Sequence, residues 1–221
     1  MNELLNKYLN KVEQNEFLSI VKPILDSEEF QKRCTSEYAH HDDITLGEHI
    51  LEVAILTYLK CKTSIDVDLN TAVYIAMMHD LYSIPWQNNP DAKVNSFTNK
   101  HGFRHPIEAI INSINWFPEI YEKYSPVILI DGIAHHMYPL PVRVYNDKDM
   151  ELKTSKDISD KYKEILREST NRCSVGDLSF CRSLYKEGKI VSECDKYVTR
   201  IHLKNIHSLT SGVTGKNENI K

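Results

Sequence analysis

His79 and Asp80 close the apolar run Thr71-Ala-Val-Tyr-Ile-Ala-Met-Met. A neutral imidazole beside a carboxylate can hold one metal ion from two sides. The chain carries ten histidines, and a second His-Asp pair stands at His41-Asp42. The pair at 79–80 therefore draws its weight from its company: His49 before it, and His105, His136 and Asp195 after it. If the segments bearing these residues converge, Asp80 can bridge two ions by placing one oxygen on each. His49, His79 and Asp195 would then complete the first site, and His105 and His136 would serve the second. Such donors suit Mn, Fe, Co, Ni or Zn, while the lack of paired cysteines argues against a closed structural zinc site. A hydroxide held between two ions has a depressed pKa and can lie in line with a phosphorus centre. The chemistry this pattern suggests is therefore hydrolysis.

The elements that must position these residues read as helices. Seven glycines in 221 residues, with apolar residues three and four apart, predict a mostly helical fold. Phe17, Ile20, Val21, Ile24 and Leu25 mark one amphipathic segment, which Pro23 is expected to kink or divide. Ser27 offers a cap for a short helix carrying Phe30. Thr45 with Glu48 forms a capping-box pattern that opens a helix to about Lys62, with His49 in its first turns. Asp68 or Asn70 can cap the next helix, which ends at His79-Asp80. Residues 83–100 read as a loop. Pro106 suits the first position of a helix through Ile114, and Pro126 that of a helix running to His136. Residues 144–188 are charged and poorly patterned, with a helix expected at 157–168. A final helix is expected over about 190–208, followed by a mobile tail from 211 to 221. Neighbours on a helix diverge by about 100°, so His135 and His136 cannot share one face, and periodicity alone does not choose between them.

Length and composition narrow the class. The chain is long enough for one sizeable core, read as a single domain over 1–210 with a charged insertion at about 144–188. Apolar content of 41% and charged content of 26% are those of an ordinary globular protein. A net charge of −4 provides no basic field for duplex nucleic acid. No run approaches the roughly 18 apolar residues of a membrane span. The five cysteines form no C-x-x-C pair, which fits reduced thiols in a cytoplasmic protein.

The order His, His-Asp, distant Asp resembles the HD superfamily of metal-dependent phosphohydrolases. HHDDITLGEHILEVAILTYLKC, MMHDLYSIPW, HGFRHP, HHMYPLP and ECDKYV resemble, in order, the blocks of a bacterial HD-domain phosphohydrolase group, and together they span residues 40–198. The resemblance implies an all-α HD-domain helical bundle around a metal-binding cleft. It makes His49, His79, Asp80 and Asp195 the shared metal ligands. It matches His105 and His136 to the extra histidines of two-metal branches, which include cyclic-dinucleotide phosphodiesterases and diadenosine tetraphosphate hydrolases. It also selects His136 over His135. Many HD proteins place a lysine on the substrate phosphate shortly after the dyad, whereas HDLYSIPW has no lysine or arginine.

The implied activity is cleavage of a phosphate ester of a nucleotide or dinucleotide, with one or two divalent ions. A single-metal nucleotidase and a nucleotide-binding module without turnover are the alternatives. The candidate substrate contacts are His40 and His41 ahead of the His49 helix, His101, Arg104 as a two-oxygen phosphate clamp, and Lys196 beside Asp195. Residues 81–104 and 144–188 are expected near the mouth of the cleft. The oligomeric state is not legible.

Overall fold

The computed structural model describes residues 2–41, 44–85, 100–146, 157–175 and 177–213, without the side chains of 41, 174, 175 and 205–213. In chain order its helices are α1 (Asn2–Tyr8), α2 (Lys11–Leu25), α3 (Glu28–Arg33), α4 (Leu46–Lys62) and α5 (Leu69–Met78), followed by α6 (His101–Trp116), α7 (Pro118–Lys123), α8 (Pro126–Ala134), α9 (Asp160–Asn171) and α10 (Lys186–Val213). A single two-stranded antiparallel sheet accompanies them among the described residues, β1 (Ala39–His41) with β2 (Ile44–Thr45). The fold is all-α, and no described helix is long and apolar enough to cross a membrane.

Helix α5 is the centre of the bundle because it is apolar on every side. All residues from Thr71 to Met78 are buried, as expected of a helix without a polar face. Asp68 supplies its cap by accepting the Thr71 N–H at 2.6 Å. Helices α2, α4, α6, α8 and α10 pack around it. The Thr45–Glu48 capping box opens α4, and Ser27 caps α3, both as the sequence predicts.

Two glycines bring the late helices close to the centre. A Cβ on Gly188 of α10 would stand 2.7 Å from Cα of Gly132 in α8, and one on Gly132 would stand 2.6 Å from Cδ1 of Ile75 in α5. The backbones of α10 and α8 therefore touch at this crossing. Asp195, seven residues along α10 from Gly188, is carried onto the same side of that helix and faces the end of α5.

Several boundaries differ from the sequence reading. Pro23 does not divide α2, which runs unbroken from Lys11 to Leu25; it sits in the last turn and forgoes one backbone bond, to the Ser19 carbonyl. Helix α6 starts at His101 rather than Pro106, because its buried stripe begins at Phe103. Pro106 thus lies inside the helix and forgoes one backbone bond, to the Gly102 carbonyl. Helix α9 lies slightly later than expected, and α10 is longer at both ends, reaching Val213. Helices α1 and α7 and the β1–β2 hairpin were not expected, since such short pieces show little periodicity. Residues 86–99 of the expected loop and 214–221 of the expected tail lie outside the described residues.

The described part of segment 144–188 packs behind α8 and does not reach the mouth of the cleft. Buried Asp131 of α8 accepts Ser183 Oγ at 2.6 Å and Leu184 N–H at 2.9 Å, and pairs with Arg172. The Ser169 carbonyl lies 3.2 Å from Nε2 of His135. A buried carboxylate needs such partners, so Asp131 fixes the segment to the back of the bundle.

Candidate metal centre

Five elements converge on one buried point. His49 comes from the second turn of α4, His79 caps the C-terminus of α5, and Asp80 follows it directly. His105 comes from α6, His136 from the turn after α8, and Asp195 from α10. Each of these side chains is buried. The centre thus assembles all the residues the sequence proposed as ligands, on helices that share the α5 core.

The two oxygens of Asp80 face two different groups. Oδ2 lies 3.5 Å from His79 Nε2 and 3.8 Å from His49 Nε2. On the same side, Asp195 Oδ1 lies 3.1 Å from His49 Nε2 and 3.9 Å from His79 Nε2. Oδ1 of Asp80 lies 3.1 Å from His105 Nε2 and 3.5 Å from His136 Nε2. Those two ring nitrogens are themselves 3.0 Å apart.

The far nitrogen of three imidazoles explains why these contacts are unusual. His79 Nδ1 lies 2.6 Å from the Ala76 carbonyl, His136 Nδ1 lies 2.7 Å from the Ile133 carbonyl, and His105 Nδ1 lies 3.0 Å from the His101 carbonyl. A carbonyl only accepts, so each Nδ1 carries a proton, and each ring turns its Nε2 inward as the atom that could ligate a metal. Nε2 atoms and carboxylate oxygens therefore converge on one buried point. His49 Nε2, His79 Nε2 and Asp80 Oδ1 are buried without a hydrogen-bond partner. Such a set is costly to bury unless a cation satisfies it. The donors fit a metal ion: His49, His79 and Asp195 offer atoms within 4.8 Å of one another, as do His79, Asp80 and His136.

Burial and these close contacts set the electrostatics of the cluster itself. Burial lowers His79 to about 4, which keeps the ring neutral. Burial also disfavours charge on Asp80 and Asp195. The imidazoles overcome this, holding Asp80 well below the usual carboxylate range and Asp195 at about 2. Burial opposes a charge on His136 too, but the contact with Asp80 raises its pKa.

The candidate substrate residues are distributed less uniformly. A cavity of about 260 Å³ opens onto Asp80, His105 and Asp195, and both His40 and His101 line it. The His40 ring lies tilted against His49, centroids 4.1 Å apart, and close enough to His49 and Asp80 to be a further donor. His101 stacks on His105 at 4.9 Å, and burial lowers it to about 3. Arg104 and Lys196 do not line the cavity; Lys196 instead lies over the Tyr138 ring at 5.0 Å. The His41 side chain and Asp42 lie outside the described residues.

Sequence reasoning missed two groups. Tyr82, Gly102, Met137 and Thr199 also line the cavity. Behind His49, buried Glu52 receives His202 Nε2 at 2.7 Å, Lys7 Nζ at 3.1 Å and the Tyr8 hydroxyl. The His202 ring packs edge-on against His49 at 5.9 Å. Helical spacing held a signal for this group, since Glu52 follows His49 by one turn and His202 follows Asp195 by two turns.

This carboxylate yields a pH prediction. Burial works against its charge, but the bonds from His202, Tyr8 and Lys7 lower Glu52 from 4.5 to about 2. A depressed folded pKa contributes stability that is complete above about pH 4.5 and fades as pH falls toward 2. Glu52→Gln should therefore cost about 2 kcal/mol at neutral pH, allowing for solvent screening near Lys7. Urea midpoints of both proteins between pH 7 and pH 3 should converge on acidification. A gap independent of pH would show that Glu52 acts through packing alone.

The centre is thus a buried cluster of imidazoles and carboxylates, within an all-α fold, that can hold a metal ion. Comparison of the chain with protein-family models, with curated proteins and with solved structures finds no match.

Proposed function

We propose that this chain is an HD-domain phosphohydrolase that cleaves a phosphate ester of a nucleotide or dinucleotide with the help of divalent metal. One observation carries the reading: Asp80 turns its two oxygens toward two pairs of imidazole Nε2 atoms, His49 with His79 and His105 with His136. His49, His79, Asp80 and Asp195 would hold one ion, and Asp80, His105 and His136 a second. The order of these residues along the chain supports the HD assignment. When bound, Mn, Fe, Co, Ni or Zn supplies Lewis acidity toward water and toward the phosphoryl oxygens.

The residues themselves prepare the site. The carbonyls of Ala76, His101 and Ile133 lock His79, His105 and His136 in the tautomer that presents Nε2. The turn after the dyad is held from three directions. Asn112 donates to the Leu81 carbonyl at 2.7 Å, buried Arg33 donates to the Tyr82 carbonyl, and Glu108 accepts the Ser83 N–H at 2.8 Å. That support fixes Asp80 between its two sets of partners. His40 and His101, on the cavity wall, are in position to donate hydrogen bonds to phosphoryl oxygens.

The test is a panel of nucleotides, dinucleotides and simple phosphate esters, assayed with Mn, Fe(II), Co and Ni. Metal-dependent release of phosphate or of a nucleotide product is the expected result. Tight metal binding with no turnover on any member would favour a binding module. A metal content near one per chain, unchanged by His105→Ala or His136→Ala, would favour a single-metal nucleotidase.

A further inference from the structure

The cavity above the centre has two chemically distinct parts. Its floor is formed by Asp80 and Asp195, and its walls include Tyr82, His101, Gly102 and Met137. The floor is anionic and metal-directed. The walls present aromatic faces, a thioether and a residue with no side chain. Tyr82 and His101 meet edge to face, with ring centroids 4.7 Å apart and planes at 88°, and so make a rigid corner. Met137, which also lines the cavity, adds a soft surface that suits the edge or face of a ring.

Gly102 is the informative position. A Cβ placed there would meet no described atom within 4 Å, whereas one on Gly132 or Gly188 would collide with a packed neighbour. No close helix crossing therefore requires this glycine among the described residues. Glycine is also a poorer helix former than alanine, so the helix itself does not favour it here. What it contributes is room in the wall of the recess.

Building on the phosphohydrolase reading above, we infer that this recess binds the organic half of the substrate as one flat, largely apolar ring, lying over Gly102 with its phosphate toward the floor. Its volume of about 260 Å³ is small for a ligand site, since such sites run from roughly 300 Å³ upward. One ring system and its phosphate fill it. The second half of a dinucleotide would lie outside.

Calorimetric binding to the Mn(II)-loaded full chain tests this without requiring turnover. The probes are inorganic phosphate, 1-naphthyl phosphate, AMP and adenosine, and the variants are Gly102→Leu and Gly102→Ala. The native protein should bind 1-naphthyl phosphate and AMP at least about tenfold more tightly than inorganic phosphate, by desolvation of the ring. Gly102→Leu should abolish that preference and leave phosphate affinity within about twofold, while Gly102→Ala keeps most of it. Thermal melting of both variants at or above the native value verifies that the fold is intact. Equal affinity of the native protein for naphthyl and inorganic phosphate overturns the inference, as does a ring preference that survives Gly102→Leu. If inorganic phosphate fails to bind but adenosine binds and is excluded by Gly102→Leu, the phosphohydrolase reading falls and the ring recess stands. If adenosine, AMP and naphthyl phosphate all fail to bind the native protein, the ring recess falls.

Discussion

Asp80→Asn should lower metal-dependent turnover by about a thousandfold, on the order of 4 kcal/mol of transition-state stabilisation. The substitution nearly preserves shape but removes the negative charge, and it replaces one of two oxygens with an amide nitrogen that donates. Both Asp80 oxygens face ring Nε2 atoms, His49 and His79 on one side, His105 and His136 on the other. Both sets lose the Asp80 charge, and whichever way the amide turns, one of them meets an NH2 that cannot ligate a metal. The effect should appear in kcat and in metal content together, with far-UV circular dichroism unchanged. His79→Ala should behave similarly, because its lone pair faces both Asp80 and Asp195. Turnover within tenfold of the native protein for both variants would remove the dyad from the chemistry.

Metal removal should have the second large effect, on stability. Without a cation, His49 Nε2, His79 Nε2 and Asp80 Oδ1 are buried and unpaired. Ions at about a hundred times their Kd should stabilise the fold by roughly 2.7 kcal/mol. For a chain of this size that raises Tm by about 5–10 °C. Chelation should reverse the shift, and Mn(II) should restore it. His105→Ala and His136→Ala should each lower metal content by about one ion per chain while retaining part of the shift, because the His49, His79 and Asp195 side of Asp80 is untouched. Elemental analysis and melting curves, read together, decide the matter. A Tm indifferent to chelator, in protein with no bound metal, would overturn the metal-centre reading.

Much of the frame was legible in local sequence. The Thr45–Glu48 box, Asp68 and Ser27 act on N–H groups within three residues, so each marks a helix start without any tertiary information. The all-round apolar run ending at His79-Asp80 identified the central helix because nothing in it can face water. Reading Pro106 as a helix start failed, since the buried stripe from Phe103 onward outweighs the loss of one backbone bond. Segment 144–188 resisted pattern reading because its anchors to α8, at Asp131 and His135, are distant in sequence.

The sequence by itself determined the long helices that carry the site, apart from the start of α6, and the kinds of donor they carry, because capping, periodicity and residue chemistry are local properties. Only the tertiary structure decided which donors meet. It turned His136 to Asp80 and His135 to Ser169, a choice that periodicity leaves open. It added His202 and Glu52 behind His49, and it cleared the space over Gly102. Those outcomes depend on how α4, α5, α6, α8 and α10 pack. Packing sets distances between residues far apart in the chain; local spacing can place Glu52 on the face of His49 and His202 on that of Asp195, but cannot bring the two faces together.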